Sequence, residues 1–308
     1  MTVRRLDLSG VFAPIPTPFS DQGGILFDRL ADNLEQWEQE PLAGYVVGGS
    51  NGEFPLLSVD ERVEVVRQVR RRVSQDRLVI AGGGMESTAA TISLSRTMAE
   101  VGADAVIVVT PGYYRSRMTP PALTAHYTAV ADAVPVPVLI YNVPANTGVD
   151  VPADVVIDLS RHPGIAGIKE SGGDVAKIGR MVEESSEGFQ VLAGSAGFFL
   201  PALAMGGVGA IAALANIAAA ELTEVARRFR QGDGVAAREL QARLIEINAA
   251  VTSRFGVPGL KSAMDMTGRF GGPPRPPLVP LDDDDRAQVR RALEHAGMAT
   301  AKLGRSSS

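Results

Sequence analysis

The 308-residue chain contains no cysteine, which removes disulfide frameworks, thiolate nucleophiles and cysteine-ligated zinc or iron–sulfur centres from consideration. Histidine is nearly as scarce. His126, His162 and His295 stand apart with no i, i+4 pair, so no metal cluster is recognisable. Excess charge is small: 30 Lys plus Arg against 35 Asp plus Glu leave a formal net charge of −5, which argues against a nucleic-acid binder. Long uninterrupted hydrophobic runs are missing too. The N-terminal segment MTVRRLDLSGVF carries two arginines but no apolar stretch of signal-peptide length. The most apolar region, residues 198–220, is broken by Pro201, a GGVG run and Asn216, and reads as a buried helix followed by a strand rather than a membrane span. A cytoplasmic protein with no membrane partner is expected. Lysine is the last scarcity: Lys169, Lys177, Lys261 and Lys302 are the four in the chain, against 26 arginines.

The rest of the composition, 45% apolar and 21% charged, is ordinary for a soluble globular protein long enough to bury a large core. Short β-rich runs recur roughly every 25 to 30 residues, each followed by a segment of helical periodicity, the spacing of repeated βα units. Strands are expected at residues 11–19, 44–49, 78–83, 105–111, 138–144, 165–171, 189–195 and 207–213. Runs such as AVIVV and VLIY are continuously apolar, as burial on both faces of a parallel sheet requires. Eight such units predict a closed α/β barrel, the (β/α)8 or TIM barrel. The rival, an open doubly wound sheet, lacks a GxGxxG after its first strand. Helices are expected at 58–73, where Ser58 and Glu61 form a capping box, at 87–101, and from Pro120 or Pro121 to residue 133.

The barrel is assigned to residues 1–220 and a helical extension to 221–298, with helices at 221–230, 235–255 and 260–268. The five prolines within GGPPRPPLVP, residues 271–280, predict an extended connection. The acidic run at 282–285 caps a last helix ending near residue 295, and residues 299–308 read as a disordered tail.

Function in such a barrel gathers where the strands end. The sixth run ends in GIKESGG, and burial there disfavours the ammonium form of Lys169. A neutral amine attacks a ketone to give an imine that serves as an electron sink; alternatively Lys169 snorkels to the rim or pairs with Glu170. The fifth run ends in YNVPANTG, where Tyr141 is either a proton relay or a core tyrosine with a satisfied hydroxyl. Tyr113 and Tyr114 follow the fourth run on a loop, as site or interface aromatics. Ser50, Asn51 and Gly52 after the second run form a donor-rich turn that suits a carboxylate, though many turns look alike. Glu53 beside them is assigned to capping and turn stabilisation. Gly194, in the LAGSAG turn of the seventh run, opens a segment that suits an anion. The small residues of GAIAALAN at the eighth either leave room at the mouth or satisfy helix packing.

Taken together, GSNGEFPLLSVDER, ESTAAT, VTPGYYRSRM, YNVPANTG, GIKESGGD, FQVLAGSAGFF, ALANI and NAAVTSRFGVPGLK resemble the pyruvate-dependent class I aldolases related to dihydrodipicolinate synthase and N-acetylneuraminate lyase. The likeness spans residues 10–278 and is greatest to the 4-hydroxy-2-oxoglutarate aldolases. It implies that Lys169 is the Schiff-base lysine and Tyr141 the proton-relay tyrosine. It further implies that Ser50 and Asn51 hold the 2-oxo acid carboxylate, that Tyr113 enters a neighbouring subunit's site, and that Ser171 lies near the distal end of the substrate. The synthases have Arg where this chain has Asn146, which counts against an aspartate semialdehyde substrate. Asn51 likewise replaces the second hydroxyl of their GTTGE motif. The resemblance implies an enzyme without metal or organic cofactor, a small 2-oxo acid as substrate, and a homotetramer built as a dimer of dimers. The first reading is reversible cleavage of 4-hydroxy-2-oxoglutarate to pyruvate and glyoxylate. The alternatives are condensation of pyruvate with aspartate semialdehyde, other 2-oxo acid lyase or dehydratase chemistry, or a non-catalytic binding barrel.

Overall fold

Continuously apolar strands need cover on both faces, and a closed barrel inside a ring of helices supplies it. A computed structural model describes residues 6–298 of the chain, so the tail expected at 299–308 lies outside the described residues. The strands are β1 (Gly10–Pro14), β2 (Gly44–Val47), β3 (Leu78–Gly82), β4 (Ala105–Val109), β5 (Val138–Asn142), β6 (Ile165–Glu170), β7 (Gln190–Ala193) and β8 (Gly209–Ile211). They pair in parallel in sequence order, and β8 closes on β1 with Val11 opposite Ala210. This is the (β/α)8 barrel that the sequence predicts.

Alternation along each strand separates two cores. Phe12, Val46, Ile80, Ile107, Leu139, Leu192 and Ile211 point inward and fill the barrel, and Leu6 and Leu8 of the N-terminal segment pack with them. Val11, Tyr45, Val79, Val106, Ile140, Ile168 and Val191 point outward into a second core shared with the helices.

Between and beyond the strands run α1 (Phe27–Trp37), α2 (Val59–Arg72), α3 (Thr88–Glu100), α4 (Pro120–Ala133), the single turn α5 (Pro144–Thr147), α6 (Ala153–Leu159), α7 (Val175–Glu184), α8 (Phe199–Ala204), α9 (Ala219–Arg230), α10 (Gly234–Ala249), α11 (Gly256–Met266) and α12 (Asp283–His295). The capping box at the start of α2 is made in both directions: Glu61 N donates to Ser58 Oγ at 3.1 Å and Ser58 N to Glu61 Oε2 at 2.8 Å. Ser87 caps α3 by accepting from Ala90 N at 3.1 Å.

Two sequence expectations are corrected. The strands stop one to five residues short of the apolar runs, because ladder pairing ends while the chain stays apolar to line the barrel mouth. The helix expected over 235–255 is also not continuous. α10 ends at Ala249, a π-helical stretch occupies Ala250–Arg254, and α11 restarts at Gly256, whose φ of 57° breaks the run.

Candidate active site

Lys169 and Tyr141 are opposite one another in the β5–β6 ladder, and both face the barrel interior. Lys169 is 4% exposed, and its Nζ lies over the Tyr141 ring at 4.1 Å from the centroid. No carboxylate lies within ion-pair distance of that Nζ among the described residues. Glu170, the alternative partner, points to the outer face and meets Lys177 Nζ at 3.3 Å instead. Lys169 therefore neither snorkels to solvent nor neutralises its neighbour. A primary amine held over an aromatic ring, deep in an apolar barrel, is placed to react as a nucleophile once deprotonated.

The Tyr141 hydroxyl meets Ser50 Oγ at 3.2 Å. Ser50 opens a one-turn 3-10 segment, Ser50–Gly52, in which Gly52 N bonds Gly49 O at 3.0 Å and Glu53 N bonds Ser50 O at 3.1 Å. That turn is pinned from β1's loop by Thr17 Oγ1, which donates to Gly52 O at 2.8 Å. Three strand ends thus deliver an amine, a phenol and a hydroxyl to one point. Ser50 also forms part of the wall of a cavity of about 1320 Å³ at the mouth, with Asn146, Thr147, Arg254 and Phe255. Asn51 is half-buried beside Ser50, whereas Asn146 is exposed at the rim on α5.

Ser171 and Gly194 form a second contact at the mouth. A side chain at position 194 would place Cβ 1.9 Å from Ser171 Oγ, so only glycine lets the serine fold against β7. Ser171 Oγ is sealed from solvent without a hydrogen-bond partner among the described residues, an acceptor and donor left available at that wall. Tyr113 is the exception among the candidates. It stands 79% exposed with its ring edge-on to Tyr114 at 5.0 Å, and its N–H donates to Glu86 at 3.0 Å.

Glu53 does not act as a helix cap, which corrects the assignment made from sequence. Its side chain makes no cap bond, its backbone is left-handed at φ 59°, and its carboxylate is buried in an ion pair with Lys261 at 2.6 Å. Lys261 also donates to Thr17 O at 2.9 Å and Pro273 O at 3.0 Å. Burial pulls the Lys261 ammonium below its ordinary value, and the Glu53 charge works against that. Arg275, in the proline-rich connection, donates its N–H to Glu53 Oε2 at 2.8 Å and grips Glu61 with two bonds, at 2.7 and 2.8 Å. Those bonds hold the Glu61 carboxyl down at about 2. The ring of Phe19 has Lys261 Nζ at 4.5 Å and Arg275 at 4.4 Å from its centroid.

Sequence reasoning also passed over Arg62. It is buried, donates to Gly82 O at 2.8 Å and Gly84 O at 3.1 Å, and lies 5.0 Å from the Phe54 ring. Burial brings its value down to about 10, so it stays charged at neutral pH. Only a charged residue within the apolar periodicity of α2 signalled it. Lys261 had a similar signal, standing between Leu260 and Ala263 in a helix buried on most sides.

A barrel whose mouth gathers a buried lysine, a tyrosine and a serine defines a class of (β/α)8 lyases, and comparison with known proteins gives the family. The model of the dihydrodipicolinate synthetase family matches residues 7–296. The 4-hydroxy-tetrahydrodipicolinate synthase of Methanothrix thermoacetophila is 36% identical over 285 residues, 92% of this chain and 95% of that protein. Among solved structures, dihydrodipicolinate synthase DapA-2 of Bacillus anthracis matches with a TM-score of 0.90 at 31% identity, over 94% of this chain and 98% of its own. The chloride-inhibited dihydrodipicolinate synthase of Acinetobacter baumannii, solved in complex with pyruvate, matches with a TM-score of 0.90 at 30% identity, over 95% and 100%. The chain belongs to the dihydrodipicolinate synthetase family and is an enzyme, a lyase. These relatives are synthases; the finer likeness to 4-hydroxy-2-oxoglutarate aldolases has no counterpart in their names.

Proposed function

We propose that the protein is a Schiff-base lyase that makes or breaks a carbon–carbon bond next to pyruvate. The observation that carries this reading is Lys169, buried without a counter-ion, over the ring of a tyrosine whose hydroxyl meets Ser50. Lys169 Nζ attacks the 2-oxo carbon while the Ser50–Asn51 turn receives the carboxylate. Loss of water gives the iminium. Tyr141 takes the proton from the 4-hydroxyl as the bond to the departing aldehyde breaks, and the electron pair enters the iminium to give an enamine. Reprotonation and hydrolysis release pyruvate and free the lysine.

For the aldehyde, we favour glyoxylate, making the reaction reversible cleavage of 4-hydroxy-2-oxoglutarate. Asn146 at the rim supplies no fixed charge for a longer carboxylated aldehyde, and Ser171 Oγ offers an unused hydrogen-bonding group at the wall. The names of the relatives favour a second reading, condensation of pyruvate with aspartate semialdehyde. Parallel assays of the purified enzyme decide between them: efficient turnover of aspartate semialdehyde with none of glyoxylate reverses the order.

The shared step is tested by adding pyruvate with borohydride and mapping the adduct by peptide mass. One adduct, on the Lys169 peptide, is expected. A folded enzyme that binds pyruvate without forming an adduct refutes the mechanism. Lys169→Ala should abolish turnover. A homotetramer with Tyr113 shared between subunits belongs to the same proposal, and light scattering that gives a monomer at assay concentration counts against it.

A further inference from the structure

Each of the two facing residues, Tyr141 and Lys169, is succeeded in sequence by a polar residue that alternation turns to the outer face of the barrel. These are Asn142 and Glu170, both fully buried and opposite one another in the ladder. Asn142 Nδ2 donates across the strands to Glu170 Oε2 at 2.8 Å. Every other polar atom of the pair is engaged as well. Asn142 Nδ2 also reaches Asp150 Oδ1 at 2.7 Å, and Asn142 Oδ1 accepts from Val151 N at 3.0 Å. Glu170 accepts from Gly172 N and faces Lys177 Nζ at 3.3 Å, while Lys177 also holds Asp150 at 2.6 Å.

The β5–β6 ladder needs such a fixture. Its register is interrupted by an irregularity between Val138 and Leu139: Val138 pairs with Ile165 but Leu139 with Gly167, so Ala166 is extra. A bulge re-aims the side chains beyond it, and a slip of one residue would turn Tyr141 and Lys169 out of the barrel. Backbone ladder bonds are the same in every register, whereas a bond between two particular side chains exists in only one.

We propose that Asn142 and Glu170 are positioning residues: their hydrogen bond on the outer face sets how Tyr141 stands relative to Lys169 on the inner face. This inference rests on the Schiff-base reading of those two residues. Neither Asn142 nor Glu170 touches substrate. Their effect falls on proton transfer, which needs the phenol and the amine in register, and spares imine formation, which needs the amine alone.

The test uses the full-length enzyme and pyruvate without any aldehyde. Imine formation is read as the borohydride-trapped fraction of Lys169 at saturating pyruvate, and proton transfer as exchange of the pyruvate C3 hydrogens in D2O. Glu170→Gln leaves one oxygen where three donors converge. It should slow exchange at least tenfold, on the scale that small misplacements of catalytic groups cost, while trapping stays within twofold of wild type. Glu170→Asp, which keeps the charge, should fall between. The swap Asn142→Asp with Glu170→Gln lets the amide donate from the other strand and should return exchange to within threefold of wild type. Exchange within twofold of wild type in Glu170→Gln, or a swap no better than the worse single variant, overturns the proposal. If Glu170→Gln does not fold, Asn142→Ser, which removes the crossing amide alone, carries the same two readings. Failure of the wild-type enzyme to trap pyruvate at all refutes the Schiff-base reading instead.

Discussion

Lys261→Met isolates the buried ion pair behind the Ser50 turn. Methionine keeps the length of the stem and its packing on Phe19 while removing three donated contacts: 2.6 Å to the Glu53 carboxylate, 2.9 Å to Thr17 O and 3.0 Å to Pro273 O. Glu53 remains with no exposed side-chain surface and no counter-charge, and the N–H of Arg275 alone continues to bond it. Breaking a buried pair from one side typically costs about 3 to 5 kcal/mol. A chain of this length has an unfolding entropy of about 0.65 kcal/mol/K near its midpoint, so Tm should fall by about 5 to 8 °C. Scanning calorimetry at one concentration measures the shift. Adding Glu53→Gln removes the orphaned charge and supplies an amide donor for the two carbonyls, so the double variant should recover about half the loss. A single-variant loss under about 1 kcal/mol, or a double variant less stable than Lys261→Met, would refute the reasoning that an unpaired carboxylate sets the cost.

Tyr141→Phe loses the hydroxyl that meets Ser50 and should lower kcat roughly 100-fold or more with little change in Tm; an unchanged rate removes Tyr141 from proton transfer. Burial holds His126 below its ordinary value, so the unfolded chain takes up its proton first as pH falls. Stability should be level above about pH 6.5 and decline below it with a slope of at most about 1.4 kcal/mol per pH unit; His126→Asn should remove that component from denaturation curves measured between pH 5 and 8, and an unaltered slope contradicts the assignment. Gly194→Ala drives Cβ to 1.9 Å from Ser171 Oγ and 2.8 Å from Glu170 O, so Tm should drop, and Ser171→Gly in the same chain should return part of it. A Gly194→Ala enzyme as stable as wild type means that the β7 turn yields without strain.

The barrel was legible because burial on two faces writes itself into a strand as an unbroken apolar run, and eight such runs at even spacing leave little choice of closure. Lys169, Tyr141 and Ser50 were legible for the complementary reason: each is a polar group placed where such a run stops. What escaped depends on pairing across the fold. Glu53 and Lys261 are 208 positions apart, and nothing in GSNGEF or GVPGLK names the other. Asn142 and Glu170 look like the polar ends of two strands until the register, bulge included, sets them opposite each other. The break between α10 and α11 was hidden because the residues around Phe255 keep a helical apolar pattern while Gly256 takes a backbone angle that the pattern does not record.

The crossing bond between Asn142 and Glu170 has a consequence for how barrels of this kind can be rebuilt. Recombining half-barrels or grafting single βα units treats each strand as an interchangeable module. Here a cut between β5 and β6 would carry away one residue of the reacting pair together with half of the bond that aligns it, and a donor strand bringing its own lysine would arrive without the acceptor that fixes its angle. The smallest portable piece of this site is therefore two adjacent strands with the start of α7, including Lys177, moved as one block.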